Sequence, residues 1–246
     1  MRIAPLLRGA AATAALAILT SGSAAAQTLY SNGPVVDGSN LSVIRTGGTL
    51  FGAGAQSAIP NLVADDFSVA GSSWNVTGLS FFSYQTGAQS QFTFTGVTWS
   101  IVSGDVNAGS VVASGSLAPT NGGLEGYRVT STTLTNTDRA IFRLDLDVAD
   151  FFLGSGSYWL RWGIAGSLAS GPWQAPTSDG AIGNAQQSLA NGAFAQVNDA
   201  GDGLGIELPF MIHGTTTVAP EPSTAALMLV GGLALAGVVH RRRRSA

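Results

Sequence analysis

The residues able to do chemistry are few, and their spacing restricts what they can do. The chain has 246 residues and no Cys, so thiolate nucleophiles, thiolate metal sites and disulfides are excluded. A serine nucleophile needs a base within hydrogen-bond reach. No Gly-x-Ser-x-Gly occurs, and the central part of the chain has one His, His213. His213 falls out of phase with Phe210 and Ile212, an alternation that points it to solvent. His240 sits beside a run of arginines. No hydrolase centre is expected on either.

Carboxylates are the next candidates. Asp65 and Asp66 are adjacent, so their side chains leave opposite faces of a strand and cannot form the facing pair that glycoside hydrolysis needs. Asp145 and Asp147 share a strand face with Arg143, which reads as a solvated surface. The run Asn198-Asp199-Ala200-Gly201-Asp202-Gly203 resembles part of an EF-hand loop. Ala200 breaks that pattern, and Pro209 stands where the twelfth-position Glu belongs. A polar turn is expected, with Asp65, Asp66, Asp199 and Asp202 left as ligands for a calcium site of another kind. Gly52-Ala53-Gly54 and Gly201-Asp202-Gly203 lack the following helix that would cradle a phosphate. No catalytic residue, cofactor or metal ligand is assigned.

The five Trp divide by context. Trp74, Trp99 and Trp162 sit in strand patterns and are expected in the core. Trp159 lies opposite the Tyr158/Trp162 face. Trp173 sits in Gly171-Pro172-Trp173-Gln174-Ala175-Pro176, where the prolines are expected to hold it out. An exposed, rigid aromatic ring can stack on a sugar, so Trp173 and Trp159 are the candidate glycan contacts, set against a loop Trp that folds back over its own domain.

The elements that would carry these residues read as strands. Arg139 to Val148 alternates most clearly, with Phe142, Leu144, Leu146 and Val148 on one face. Ser157 to Ile164 repeats the pattern. Further strands are expected at 28–31, 64–69, 74–85, 92–103, 110–117, 125–130, 193–197 and 208–214. Asn121-Gly122-Gly123 and Asn191-Gly192 are expected turns, and a phase shift at 92–103 predicts a bulge near Gly96. The fold class is therefore all-β, an antiparallel two-sheet sandwich, jelly-roll-like in its finer reading.

Composition agrees. The chain has 33 Gly and only 10% charged residues, and all 11 basic residues are Arg. Residues 27–219 hold 13 Asp and Glu against 5 Arg, a net charge of −8. Such an acidic body is a poor partner for nucleic acid, whose phosphates need basic side chains.

The two ends differ from this body. Arg2 and Arg8 precede an apolar run from Ala10 to Leu19, then Ala24-Ala25-Ala26. That order predicts a secretory signal peptide over 1–26, cleaved after Ala26. At the other end Pro220-Glu221-Pro222 keeps the backbone extended. The apolar stretch Thr224 to Val239 would make a transmembrane helix about 24 Å long, short of the roughly 30 Å hydrocarbon core. Arg241, Arg242, Arg243 and Arg244 then supply a cytoplasmic stop, since each Arg costs about 2.5–3.5 kcal/mol at the centre of a spanning helix. The domains expected are 1–26, 27–219 and 220–246.

The ordered set of Pro-Glu-Pro, short Gly/Ala/Leu helix and Arg cluster behind a signal peptide resembles the PEP-CTERM sorting segment of Gram-negative bacteria. The resemblance implies processing near Pro220 to Pro222 by an exosortase. It implies a precursor tethered to the inner membrane and a mature protein at the surface of an exopolysaccharide-producing cell or in its matrix. Four short runs, at Leu29 to Pro34, Ala64 to Val69, Gly156 to Leu160 and Pro209 to Thr215, look like the uncharacterised β-sandwich domains of PEP-CTERM cargo proteins. That likeness implies a fold and no ligand. A structural or interaction role is expected, with a carbohydrate-binding module as the alternative and a glycan hydrolase as a weaker third.

Overall fold

A computed structural model describes residues 26–43 and 45–217, with the isolated positions 231 and 240. In chain order the strands are β1 (Gln27–Ser31), β2 (Leu41–Val43), β3 (Ala53–Gly54), β4 (Leu62–Val69), β5 (Ser73–Tyr84), β6 (Phe94–Ser103), β7 (Ser110–Leu117), β8 (Thr120–Val129), β9 (Ala140–Leu153), β10 (Gly156–Gly166), β11 (Trp173–Gln174), β12 (Gln186–Ser188), β13 (Ala195–Gln196) and β14 (Phe210–Thr217). Over residues 26–43 and 45–217 every regular element is a strand. One sheet has the order β1-β14-β5-β9-β8-β2, with β11 and β3 attached beside β5; the other runs β13-β12-β4-β10-β6-β7. All pairings between named strands are antiparallel except β2 with β8.

Alternation builds the core. Phe142, Leu144, Leu146 and Val148 of β9 are buried, as are Tyr158, Leu160, Trp162 and Ile164 of β10. Trp74 and Trp99 are buried too, so the three tryptophans expected inside are inside. Between the sheets, the Phe81 and Trp162 ring centroids lie 5.3 Å apart. The Trp162 indole N–H, fully buried, donates to Gln174 Oε1 at 3.1 Å. Burying one such aromatic or aliphatic side chain contributes about 1.5–3 kcal/mol.

The second half of β5 is buried on both faces. Leu79 and Phe81 meet the main core, while Phe82 and Tyr84 pack with Val35, Ile141 and Ala175 in a second cluster. Arg128, wholly buried, staples the segment that covers this region. Its guanidinium donates to the backbone oxygens of Phe51 at 2.7 Å and Ser42 at 2.9 Å, and to that of Leu50. Burial lowers its pKa to about 10, although Tyr84 and Asp199 oppose the shift.

Two turn signals resolve differently. The bulge expected near Gly96 is present: Ala165 pairs with Gly96 and Gly166 with Phe94, leaving Thr95 out of register. Asn121-Gly122-Gly123 is not a chain reversal. It lies inside β8, where Asn121 pairs with Leu144 and Gly123 with Arg143. The Asn121 side chain accepts the Gly123 N–H at 2.9 Å, so the local turn chemistry makes a bulge within a continuing strand.

Candidate functional site

One group of polar side chains lies on the outer face of the eight-stranded sheet, where β14, β5 and β9 run side by side. Register assembles it: His213 stands opposite Gly78, and Ser80 stands between Met211 and Asp145. A Cβ at Gly78 would lie 3.2 Å from the Leu146 backbone oxygen and 3.5 Å from the His213 Cβ, so the tight approach at Gly78 is to β9 and the contact with His213 is an ordinary one. Ser80 Oγ is 2.6 Å from Asp145 Oδ1 and 2.8 Å from His213 Nε2. Arg143 Nε reaches both Asp145 oxygens at 3.1 and 3.2 Å, and its Nη1 is 3.4 Å from Glu125 Oε1. From β1, Thr28 Oγ1 lies 3.3 Å from His213 Nδ1. Thr28, Ser80, Arg143, Asp145 and His213 line a depression of about 350 Å³.

Ser, His and Asp are in contact, but their wiring is not that of a nucleophilic triad. In a triad the Asp holds the His, and the His takes the Ser proton. Here Asp145 bonds Ser80 directly. A carboxylate only accepts, so the single hydroxyl proton of Ser80 goes to Asp145, and His213 Nε2–H donates to Ser80 Oγ. His213 Nδ1 is then the acceptor for the Thr28 hydroxyl, which assigns the tautomer from the network. Ser80 is also almost wholly buried.

Burial lowers the His213 pKa; Asp145 opposes that and Arg143 adds to it. The ring is therefore a neutral hydrogen-bonding link at pH 7. Its side chain leaves the core face as the alternation predicts. It does not stand free in solvent, because Ser80 and Thr28 hold it half-buried.

A second polar group is interior. Asp65 is buried and Asp66 half-buried on the other face of β4, as their adjacency requires. Asn32 Nδ2 bridges Asp65 Oδ2 at 2.9 Å and Glu207 Oε2 at 3.0 Å, and Tyr30 OH donates to Asn32 Oδ1 at 2.9 Å. The backbone N–H of Leu208 donates to Asp65 Oδ2 at 2.7 Å. Burial, then the Glu207 carboxylate, push the Asp65 carboxyl well above the usual range, against the pull of the Leu208 and Asp66 N–H groups. Burial, with Asp65, Asp66 and Glu207 nearby, also pushes the Tyr30 phenol up to about 12.

Three of the short runs singled out in the sequence supply Tyr30, Asn32, Asp65, Phe67 and Phe210, and all of them meet here. Phe67 lies 5.8 Å from Tyr30 and 5.5 Å from Tyr158 of the fourth run, centroid to centroid. The motifs make an inter-sheet packing joint.

The loop that resembles part of an EF-hand is tied to the segment that precedes β3. Asp199 accepts the backbone N–H groups of Thr49, Leu50 and Gly201 at 2.9, 2.6 and 2.7 Å. Burial works to raise its pKa, but those N–H groups outweigh it and hold the carboxyl below the ordinary value. Asp202 pairs with Arg45 Nε at 2.6 Å. Among the described residues no three His, Asp or Glu side chains converge where they could hold a metal ion.

Trp173 is not held out by its prolines. It forms β11, pairs with Gly54 and Tyr84, and lies half-buried against the second cluster, its indole N–H 3.4 Å from Ser170 Oγ. Strand pairing pulls it back onto the sheet. Trp159 stands half-buried on the outer face of the six-stranded sheet, opposite Asp66 on β4 and Val102 on β6. Pro220, Glu221, Pro222 and Arg241 to Arg244 lie outside the described residues, as do most of the expected signal peptide and the expected transmembrane helix.

Sequence reasoning missed Ser80, Asn32 and Glu207. Ser80 and Asn32 join their sites only through pairing between distant strands. Compared with known proteins, the chain matches no family model and no curated protein.

Proposed function

We propose that the protein is exported, held at the inner membrane by its C-terminal segment, and processed near Pro220 to Pro222 by an exosortase. Its mature part is then an acidic β-sandwich with a structural or interaction role in an exopolysaccharide-rich envelope or matrix. The observation that carries this reading is the ordered set Pro220-Glu221-Pro222, apolar 224–239 and Arg241 to Arg244, behind an N-terminal export signal. The tail is apolar enough to enter a bilayer weakly, and the guanidinium groups cannot follow it through. The Pro-Glu-Pro strip is then left at the periplasmic face of the inner membrane, within reach of a membrane-embedded protease.

Two features of the body support the reading. Strand β1 begins at Gln27, directly after the expected cleavage at Ala26, and β14 ends at Thr217, just before Pro220. The finer jelly-roll description is supported by the repeated crossing of the chain between the sheets, among the long strands at β4–β5, β5–β6, β7–β8 and β9–β10. Removal of residues 220–246 in the producing bacterium tests the proposal. The truncated protein should lose membrane retention and its final surface location; an unchanged destination would refute it.

A further inference from the structure

The end of the sandwich from which the chain departs differs in chemistry from the rest of the body. Thr217, the last residue of β14, pairs with Ser73 at the start of β5, and Trp74 pairs with Leu153 at the end of β9. Strand β4 finishes here as well, with Val69 opposite Gly156 of β10. The segments that form this end, 69–75, 151–158 and 215–217, contain no Asp, Glu, Arg or Lys. Ser155 Oγ ties two of them together by donating to the Gly71 oxygen at 3.0 Å. Phe152 stands here opposite Asn75, and at 70% exposure it is the most exposed large apolar side chain among the described residues.

The nearest ionised groups are already engaged. Asp150 Oδ2 accepts from Asn75 Nδ2 at 3.3 Å, and Asp105, in the turn between β6 and β7, accepts the N–H groups of Asn107 and Ala108. By contrast, the loop at the far end of β9 carries Asp138 and Arg139. That end is roughly 40 Å away along a 14-residue strand at about 3.3 Å per residue.

What covers Phe152 follows from how the chain continues. After Thr217, six residues, 218–223, precede the apolar stretch 224–239. At about 3.5 Å per residue they span no more than roughly 20 Å. If the tail is anchored, the premise on which this step rests, the body is held close to the bilayer by its uncharged end. We infer that this end rests on the periplasmic leaflet of the membrane that holds the tail, with Phe152 inserted at the boundary between headgroups and acyl chains. Burying a Phe side chain contributes about 1.5–3 kcal/mol. That is too little to hold a free protein on a membrane, but a tether makes the contact intramolecular and raises its effective concentration. A second copy is a poorer occupant, because two bodies of net charge −8 over residues 27–219 repel each other. The contact orients the body during processing and is given up once the tail is removed.

The chain has no Cys, so one introduced Cys can carry a nitroxide label. The full-length protein is reconstituted into phosphatidylcholine vesicles with the label at Ser155→Cys, near Phe152, or at Thr135→Cys, in the loop at the far end of β9. Both positions are exposed. Flotation shows whether the tail holds the protein on the vesicles. The label's collision rate with oxygen, which concentrates in lipid, is then divided by its rate with a water-soluble nickel chelate. This ratio should be several-fold higher at position 155 than at position 135. Phe152→Asp, an exchange at an exposed position, should bring the ratio at 155 down to that at 135 and leave flotation unchanged. Equal ratios at the two positions in floated protein, or no loss on Phe152→Asp, would overturn the inference while leaving the anchor intact. Spin–spin broadening at 155 would overturn it too, since a second copy would then cover the patch. Protein that does not float would remove the anchoring premise, and this inference with it.

Discussion

Gln27, the first residue of β1, stands opposite Gly214 of β14, so the chain enters and leaves its folded body at one corner of the eight-stranded sheet. A protein tethered near Pro220 is thereby held by that corner. The six-stranded sheet and its Trp159 face belong to the other layer of the sandwich.

Gly214 itself is a point of close approach. A Cβ there would drive into the backbone oxygen of Asn75 on β5, at the register shift between His213 and Gly214. Gly214→Ala should lower stability by about 1–3 kcal/mol, the usual cost of overpacking, seen as a drop in the urea midpoint. A wild-type midpoint would show that the strands have room to part.

His213 predicts a pH dependence. Its folded pKa lies below 6.5 because burial disfavours the charged ring. A depressed folded value means that the unfolded chain binds the extra proton first, so the contribution is present above pH 6.5 and is lost as pH falls through the folded value. His213→Gln keeps a donor for Ser80 but cannot titrate. The variant should therefore lose less stability than wild type between pH 7 and pH 5. Solvent screens a half-buried ring, so the difference should stay under about 1 kcal/mol. Parallel unfolding curves for the two proteins across that range would refute the assignment.

The Asp65–Glu207 pair has the opposite sign. The folded Asp65 value is raised by burial and by Glu207, so its contribution is present below the ordinary carboxylate range and is lost as pH rises through the folded value. Glu207→Gln would offer an amide N–H to Asp65 while its oxygen still accepts from Asn32, removing one charge and keeping the shape. Thermal unfolding at pH 7 should then rise by a few degrees, on the scale of about 4–8 °C per kcal/mol for a small domain and less for a larger one. A lowered melting temperature at pH 7 would contradict the pairing.

Much of the scaffold was legible because β9 and β10 bury one face and alternate along their length. The core tryptophans and the bulge near Gly96 followed from the same periodicity. Strands β2, β3, β11 and β12 were not legible. Each spans two or three residues; β2, β11 and β12 pair with the longer β8, β5 and β4, and β3 pairs only with the equally short β11. Trp173 shows the same limit: its flanking prolines were visible and a ring folding back over the domain was one of the two readings, but its pairing with Tyr84 was not visible.

The Ser80–His213–Asp145 group was hidden for a different reason. Its members are 65 and 133 residues from Ser80 in sequence, and only the register of β14 and β9 against β5 joins them. Alternation correctly turned His213 out of the core. It could not show that Ser80 and Thr28 would hold the ring half-buried.

The fate of the tail is tested most directly by the C-terminal peptide of the protein recovered from the cell surface. Mass spectrometry should find that peptide ending within or close to Pro220-Glu221-Pro222, with nothing beyond. Recovery of surface protein still carrying Arg241 to Arg244 would contradict the account.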